Sequence, residues 1–175
     1  MSLCYNCINK YSCEYVDCVE NINNCKDYET IQIIHNHTLE GYQNYEINIP
    51  IHNQTFNMHF QEYDYSFDTI YFYVCMSVYN KRKNYDKNFA GNKITGKHPS
   101  LTLAAAAWSF RQLEQAVLEA WNDSHNVVIV VEWNDNQRRD IYTRYLSRYG
   151  YEIAYAKTKC LMKKYEKGCV NNDEQ

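Results

Sequence analysis

The run TIYFYVCMSVY at positions 69–79 narrows the possible folds more than any other feature of the chain. A strand with one wet face alternates apolar and polar side chains, so a nearly unbroken apolar and aromatic run predicts a central strand covered on both faces. Upstream, residues 30–34, 45–51 and 55–61 are rich in β-branched and aromatic side chains. Turn-like LEGYQN, HNQ and EYDYSFD separate these segments. Extended segments punctuated in this way predict an antiparallel meander leading into the central strand.

The polar stretch NKRKNYDKNFAGNKITGK follows, and then the apolar period changes. Over residues 98–121, Leu103, Ala106, Phe110, Leu113, Val117 and Ala120 recur every three or four positions, which predicts an amphipathic helix with those residues on its buried face. Pro99 suits the first helical position, where a missing N–H costs nothing, and Asn122 and Asp123 mark the end. NVVIVVEW, residues 126–133, is short enough for a buried strand. A second helix is expected from Asn134, with Gln137 completing a relaxed capping box. Its apolar stripe would be Ile141, Tyr142, Tyr145, Leu146 and Tyr149, and Gly150 would close it. Arg138, Arg139, Arg144 and Arg148 read as its solvated face with local acid partners. Residues 151–157 and 159–165 predict a terminal hairpin, and 166–175 a frayed polar tail.

With 175 residues and 45% hydrophobic content, the chain suits one domain of class α+β plus a small appendage. No segment approaches the roughly 18 apolar residues of a membrane span, and residues 1–21 lack the basic-then-apolar order of a secretory signal. A cytoplasmic protein with no membrane partner is the expectation. A formal net charge of −3, with basic and acidic residues interleaved, argues against nucleic acid as a partner.

Five of the eight cysteines, Cys4, Cys7, Cys13, Cys18 and Cys25, fall in the first 25 residues. In a reducing compartment, close thiolates read as metal ligands in preference to disulfides. Zinc accepts four thiolates tetrahedrally, and its binding would supply folding free energy that so short a segment lacks. Cys4, Cys7, Cys13 and Cys25 are assigned as ligands of a structural zinc, with Cys18 spare, in a Cys-rich segment 1–28 ahead of a main domain 29–175. Only Cys4 and Cys7 form a C-x-x-C pair, and free thiols on a leader are the competing reading. Cys75, in the apolar run, reads as a small core residue.

The order of elements, from meander and central strand through a Gly-containing loop, helix, buried strand and Gly-closed helix to final strands, resembles the GNAT superfamily of acyl-CoA-dependent N-acyltransferases. The likeness is carried by NVVIVVEWNDNQRRDIYTRYLSRYGYEI and, with KITGKHPSLT and RRDIYTR, is closest to phage-encoded GNAT-like proteins. The resemblance implies a mixed, mainly antiparallel sheet flanked by helices and a splayed strand pair beside a cofactor cleft. Acetyl-CoA or another acyl-CoA would be the cofactor, and a small-molecule or protein amine the acceptor. The first turn of a helix offers unpaired N–H groups and a positive dipole end, which suit a pyrophosphate. The donors would be Gly96, Lys97, His98, Ser100, Leu101 and Thr102. The loop departs from the family pattern, since Asn92 stands where Arg or Gln is usual. Glu132 would be the general base and Tyr142 the acid that protonates the leaving thiolate, with Tyr145 competing for that role. A catalytically silent GNAT-like protein that binds a protein partner is the alternative.

Overall fold

The computed structural model describes residues 31–52, 54–80, 85–88, 99–133, 135–155 and 158–168. The Cys-rich segment 1–28, with Cys4, Cys7, Cys13 and Cys25, and the loop residues Gly96, Lys97 and His98 lie outside the described residues. The fold is α+β. Strands β1 (Ile34–His37), β2 (Gln43–Ile51), β3 (Gln54–Tyr65), β4 (Thr69–Asn80) and β5 (Tyr85–Asn88) precede helix α1 (Pro99–Trp121). Strand β6 (Asn126–Glu132), helix α2 (Asn136–Leu146), β7 (Glu152–Tyr155) and β8 (Lys159–Tyr165) follow.

The sheet order is β1-β2-β3-β4-β6-β8-β7, with β5 paired to β4. The first four strands are neighbours in chain order, as a meander requires. Strands β4 and β5, β6 and β8, and β7 and β8 pair antiparallel, whereas β4 and β6 run parallel. A parallel pair needs a long crossover, and the segment carrying α1 supplies it. The end strands β1 and β7 have four residues each, and short edges limit unwanted pairing with other chains. Strand β5 falls within the stretch read as merely polar. Its sequence YDKN has little intrinsic β character, so ladder pairing with residues 77–80, which propensity does not capture, accounts for it.

The chain forms two compact units interleaved in sequence. The described parts of residues 31–34, 46–58 and 76–111 make the first, whose buried apolar residues include Ile47, Ile49, Ile51, Phe56, Met58, Val78, Ala105 and Phe110. Residues 35–45, 59–75 and the described residues from 112 onward make the second. Its buried residues include Phe60, Ile70, Phe72, Leu113, Val117, Leu161 and all of Val127 to Val131. NVVIVVE is thus the interior strand its sequence predicts. The run in β4 departs from expectation. Ile70 and Phe72 are fully buried, but Tyr71, Tyr73 and Cys75 between and after them are only half-buried. Tyrosine has an apolar body with a polar tip, so a tyrosine-rich run does not require a fully covered second face.

Helix α1 begins at Pro99, as its sequence predicts. Its buried stripe is Thr102, Ala105, Ser109, Phe110, Leu113 and Val117. Leu103, expected inside, is 43% exposed, and Ala120 is exposed as well. The hydroxyl of Thr102 accepts a hydrogen bond from Gln54 Nε2 at 3.2 Å, so a polar side chain is accommodated where an apolar one was expected. The helix ends with Asn122 N–H bonded to Leu118 at 2.9 Å.

The cap of α2 is Asp135, one residue beyond the expected Asn134, and its carboxylate accepts from the Arg138 N–H at 2.8 Å. Arg138 is buried, not solvated, because its guanidinium pairs with the same carboxylate at 3.3 Å. Ile141, expected in the apolar stripe, is exposed. We expect Asp135→Ala to cost about 1–2 kcal/mol, since it removes both the cap and the partner of a buried cation; a urea midpoint indistinguishable from wild type would contradict this. Gly150 ends the following 3₁₀ turn (Ser147–Tyr149) at φ +80°, a conformation glycine adopts without penalty. The hairpin β7–β8 forms as expected. Its continuation is not frayed at the start, because Lys167 N–H bonds Asn126 Oδ1 at 2.9 Å and Gly168 N–H bonds the Asn122 carbonyl at 2.8 Å.

Candidate functional site

The site is built where the ladder between β4 and β6 stops, in the middle of β4 and near the carboxyl end of β6. Their parallel ladder runs from Thr69↔Asn126 to Tyr73↔Val130. Val74 and Cys75 on β4, and Val131 and Glu132 on β6, lie past its last pair. On the other side of β6, Glu132 is in register with Cys160 of β8. The carboxylate of Glu132 therefore sits where β6 has finished pairing with β4 but is still braced by β8.

Thr158 leads into β8 and donates its hydroxyl to Glu132 Oε1 at 2.7 Å. Among the described residues Oε2 has no partner. The Glu132 charge reaches two neighbours on β4. Burial raises the Tyr73 hydroxyl above its ordinary pKa, and the Glu132 carboxylate and Cys160 add to the rise. Burial likewise pushes the Cys75 thiol up, with Glu132 adding to the shift. A thiol held above its usual value stays protonated at neutral pH, so Cys75 is no ready nucleophile. Tyr63 of β3 meets Tyr73 edge to face, with ring centroids 4.5 Å apart. Val128, Val130 and Cys160 form a buried cluster against which Tyr71, Tyr73 and Met162 pack. The site is a carboxylate at the rim of an apolar, tyrosine-lined face.

Tyr142, the sequence-based candidate acid, lies half-buried on α2. Burial pushes its pKa up to about 12, with Arg138 opposing the shift and Asp135 adding to it. Glu132 and Tyr142 thus have separate described surroundings, Thr158, Tyr73 and Cys75 for the first, Arg138 and Asp135 for the second. Tyr145, the competing position, meets the Tyr149 ring at 5.2 Å. Of the phosphate donors expected at the start of α1, Ser100 is exposed, Leu101 half-buried and Thr102 buried with its hydroxyl engaged by Gln54. The first turn of a helix carries N–H groups that no intrahelical carbonyl can satisfy. Thr158, Tyr73 and Cys75 were not nominated from sequence. Only the register of a parallel pair and the hairpin partner of β6 bring them to Glu132, although the alternation of Tyr71, Tyr73 and Cys75 on one strand face was there to be read.

Among the described residues no group of three or more His, Cys, Asp or Glu side chains is arranged to hold a metal ion. His35, on β1, stacks on Tyr45 at 4.3 Å and its Nε2 is hydrogen-bonded to Gln43 Oε1 at 2.7 Å. No helix among the described residues is long and apolar enough to cross a membrane. Comparison with protein-family models, with curated proteins and with solved structures gave no match to this chain.

Proposed function

We propose that the protein is an N-acyltransferase of GNAT type that moves an acetyl or other acyl group from acyl-CoA to an amine. The observation that carries this reading is the parallel ladder of β4 and β6, whose last pair, Tyr73↔Val130, leaves Glu132 two residues beyond it. Past that pair, Val74 and Cys75 continue β4 before its pairing with β5 begins at Ser77, and the peptide groups of this short gap would meet a pantetheine chain, with the carboxylate at its mouth to take a proton. Acyl-CoA would bring an activated thioester. An amine is nucleophilic only without its extra proton, so Glu132 Oε2 is the acceptor for that proton and Thr158 fixes the orientation of the carboxylate. The amide C–N bond forms as the C–S bond breaks, and Tyr142, which keeps its proton throughout the neutral range, is the donor for the departing sulfur. The Cys-rich segment would hold a structural zinc through Cys4, Cys7, Cys13 and Cys25.

The test is calorimetry of the full chain with acetyl-CoA, expected to give saturable heat. With an accepting amine in hand, Glu132→Gln should lower turnover about 100-fold while the cofactor heat is retained. Absence of cofactor binding by folded protein would dispose of the enzyme.

The second reading is a catalytically silent relative that docks a protein partner, and one observation favours it. Leu39 and Phe67, in turns of the second unit, are 104% and 99% exposed. Burial of such side chains against a partner would remove their apolar surface from water. Loss of a captured partner in a Leu39→Ser, Phe67→Ser double variant, with cofactor binding absent from the wild type, would select this reading.

A further inference from the structure

The first unit holds a second polar cluster, on strands β2, β3 and β4. Glu46 and Asn48 are two apart on β2 and so share a face. Asn57 of β3 and Ser77 of β4 join them, and these two are only 2% and 4% exposed. Polar side chains in a sheet interior are costly to desolvate, and apolar residues would fill the same space more cheaply. The arrangement of donors and acceptors suggests what the cost supports.

Asn57 Nδ2 donates to Glu46 Oε1 at 2.8 Å and to Asn48 Oδ1 at 3.0 Å, which uses both amide hydrogens. Asn48 Nδ2 donates to the same Glu46 Oε1 at 2.6 Å. Ser77 Oγ lies 3.5 Å from Asn57 Oδ1. One carboxylate oxygen is thus held by two donors. The other, Oε2, has no donor among the described residues, and Glu46 belongs to none of their ion pairs, which are Arg138–Asp135, Arg139–Asp140 and Lys164–Glu166. Among the described residues, two neutral carboxamides therefore fix a carboxylate in place without cancelling its charge. A preorganised charge of this kind is complementary to a cation from outside the cluster.

The size of the charge selects the cation. A hard divalent ion wants six or more oxygens and usually several carboxylates, and this cluster has one. A primary ammonium wants one negative charge and two or three acceptors. Glu46 Oε2 and the second lone pair of Asn48 Oδ1 provide a charge-assisted bond and a neutral one. We infer that Glu46, Asn48 and Asn57 form a binding site for the primary ammonium group of an aliphatic amine. The site stands independently of acyl transfer, because no residue in it belongs to the Glu132 site.

The test is a titration of the full chain at low salt, following the Asn48 and Asn57 side-chain NH₂ resonances by NMR. The probes are n-butylammonium for a free amine, Nα-acetyl-lysine methylamide for a lysine side chain, and n-butanol as the neutral isostere. Saturable shifts are expected with at least one cationic probe and none with n-butanol. Glu46→Gln should bind at least tenfold more weakly. Whichever cationic probe saturates at lower concentration identifies the source of the amine. Equal response to n-butanol, no saturation by either cation, or saturation by Ca²⁺ below the amine concentration overturns the inference. These comparisons use wild-type protein and hold even if the variant fails to fold. Failure here leaves acetyl-CoA binding untouched, and the reverse is equally true.

Discussion

Glu114→Leu is expected to destabilise the protein by about 3 kcal/mol, because it removes a charged acceptor that two buried hydroxyls share. Glu114 of α1 takes hydrogen bonds on a single oxygen, Oε1, from Tyr151 at 2.7 Å and from Tyr165. Tyr151 and Tyr165 are both buried, and the Lys163 ammonium lies 4.5 Å from the centre of the Tyr165 ring. A leucine would fill the volume of Glu114 but accept nothing. Tyr151 and Tyr165 would keep their bond to each other, but each loses a bond to a charged group, worth roughly 1.5–3 kcal/mol. Glu114→Gln keeps a carbonyl oxygen in place and should lose only about 1 kcal/mol. The contrast separates lost hydrogen bonds from lost packing. Urea midpoints of the two variants that coincide would refute the account.

The same triad fixes a response to alkali. Burial is the main cause that raises the hydroxyls of both Tyr151 and Tyr165, and the nearby Glu114 charge raises them further. A raised folded-state value means the neutral phenol is favoured by folding. This contribution is complete below the ordinary tyrosine pKa of 10.0 and is lost as pH climbs beyond it. Absorbance at 295 nm should show two tyrosines ionising only with unfolding.

Phe72→Ala should cost about 3–5 kcal/mol, the range for removing a large side chain from a filled core. Phe72 is fully buried on β4 and meets Tyr45 edge to face at 5.9 Å. Tyr45 in turn accepts a hydrogen bond from Trp121 Nε1 at 2.9 Å, so the cavity would open beside a residue that joins β2 to the end of α1. Tyr71→Ala, one position earlier and half-buried, should lose less than half as much. Equal losses at the two sites would mean that β4 is covered on both faces, as its sequence alone suggests.

That pair shows where sequence stops being informative. Alternation and period locate β6, α1, β4 and the terminal hairpin, because burial of apolar faces leaves a signal along the chain. Tyrosine weakens that signal, since a ring that packs at one end and meets water at the other reads as interior in a pattern count. Leu103 and Thr102 exchange places for a related reason. A bond from Gln54, which is 48 residues away, makes the hydroxyl the better inward group. Asp135 displaced Asn134 as the cap because two neighbouring residues of similar chemistry both qualify. The site divides in the same manner. Glu132 is conspicuous as an acid ending an apolar strand, whereas Thr158 and Tyr73 reach it only through pairing between distant strands.

The two bonds from Lys167 and Gly168 to Asn126 and Asn122 have a mechanical consequence. Tension applied from the carboxyl end would load this clasp before it reached the β8 ladder. Unravelling from that end would therefore begin with an abrupt yield at the clasp, and only afterwards would the terminal hairpin separate from β6.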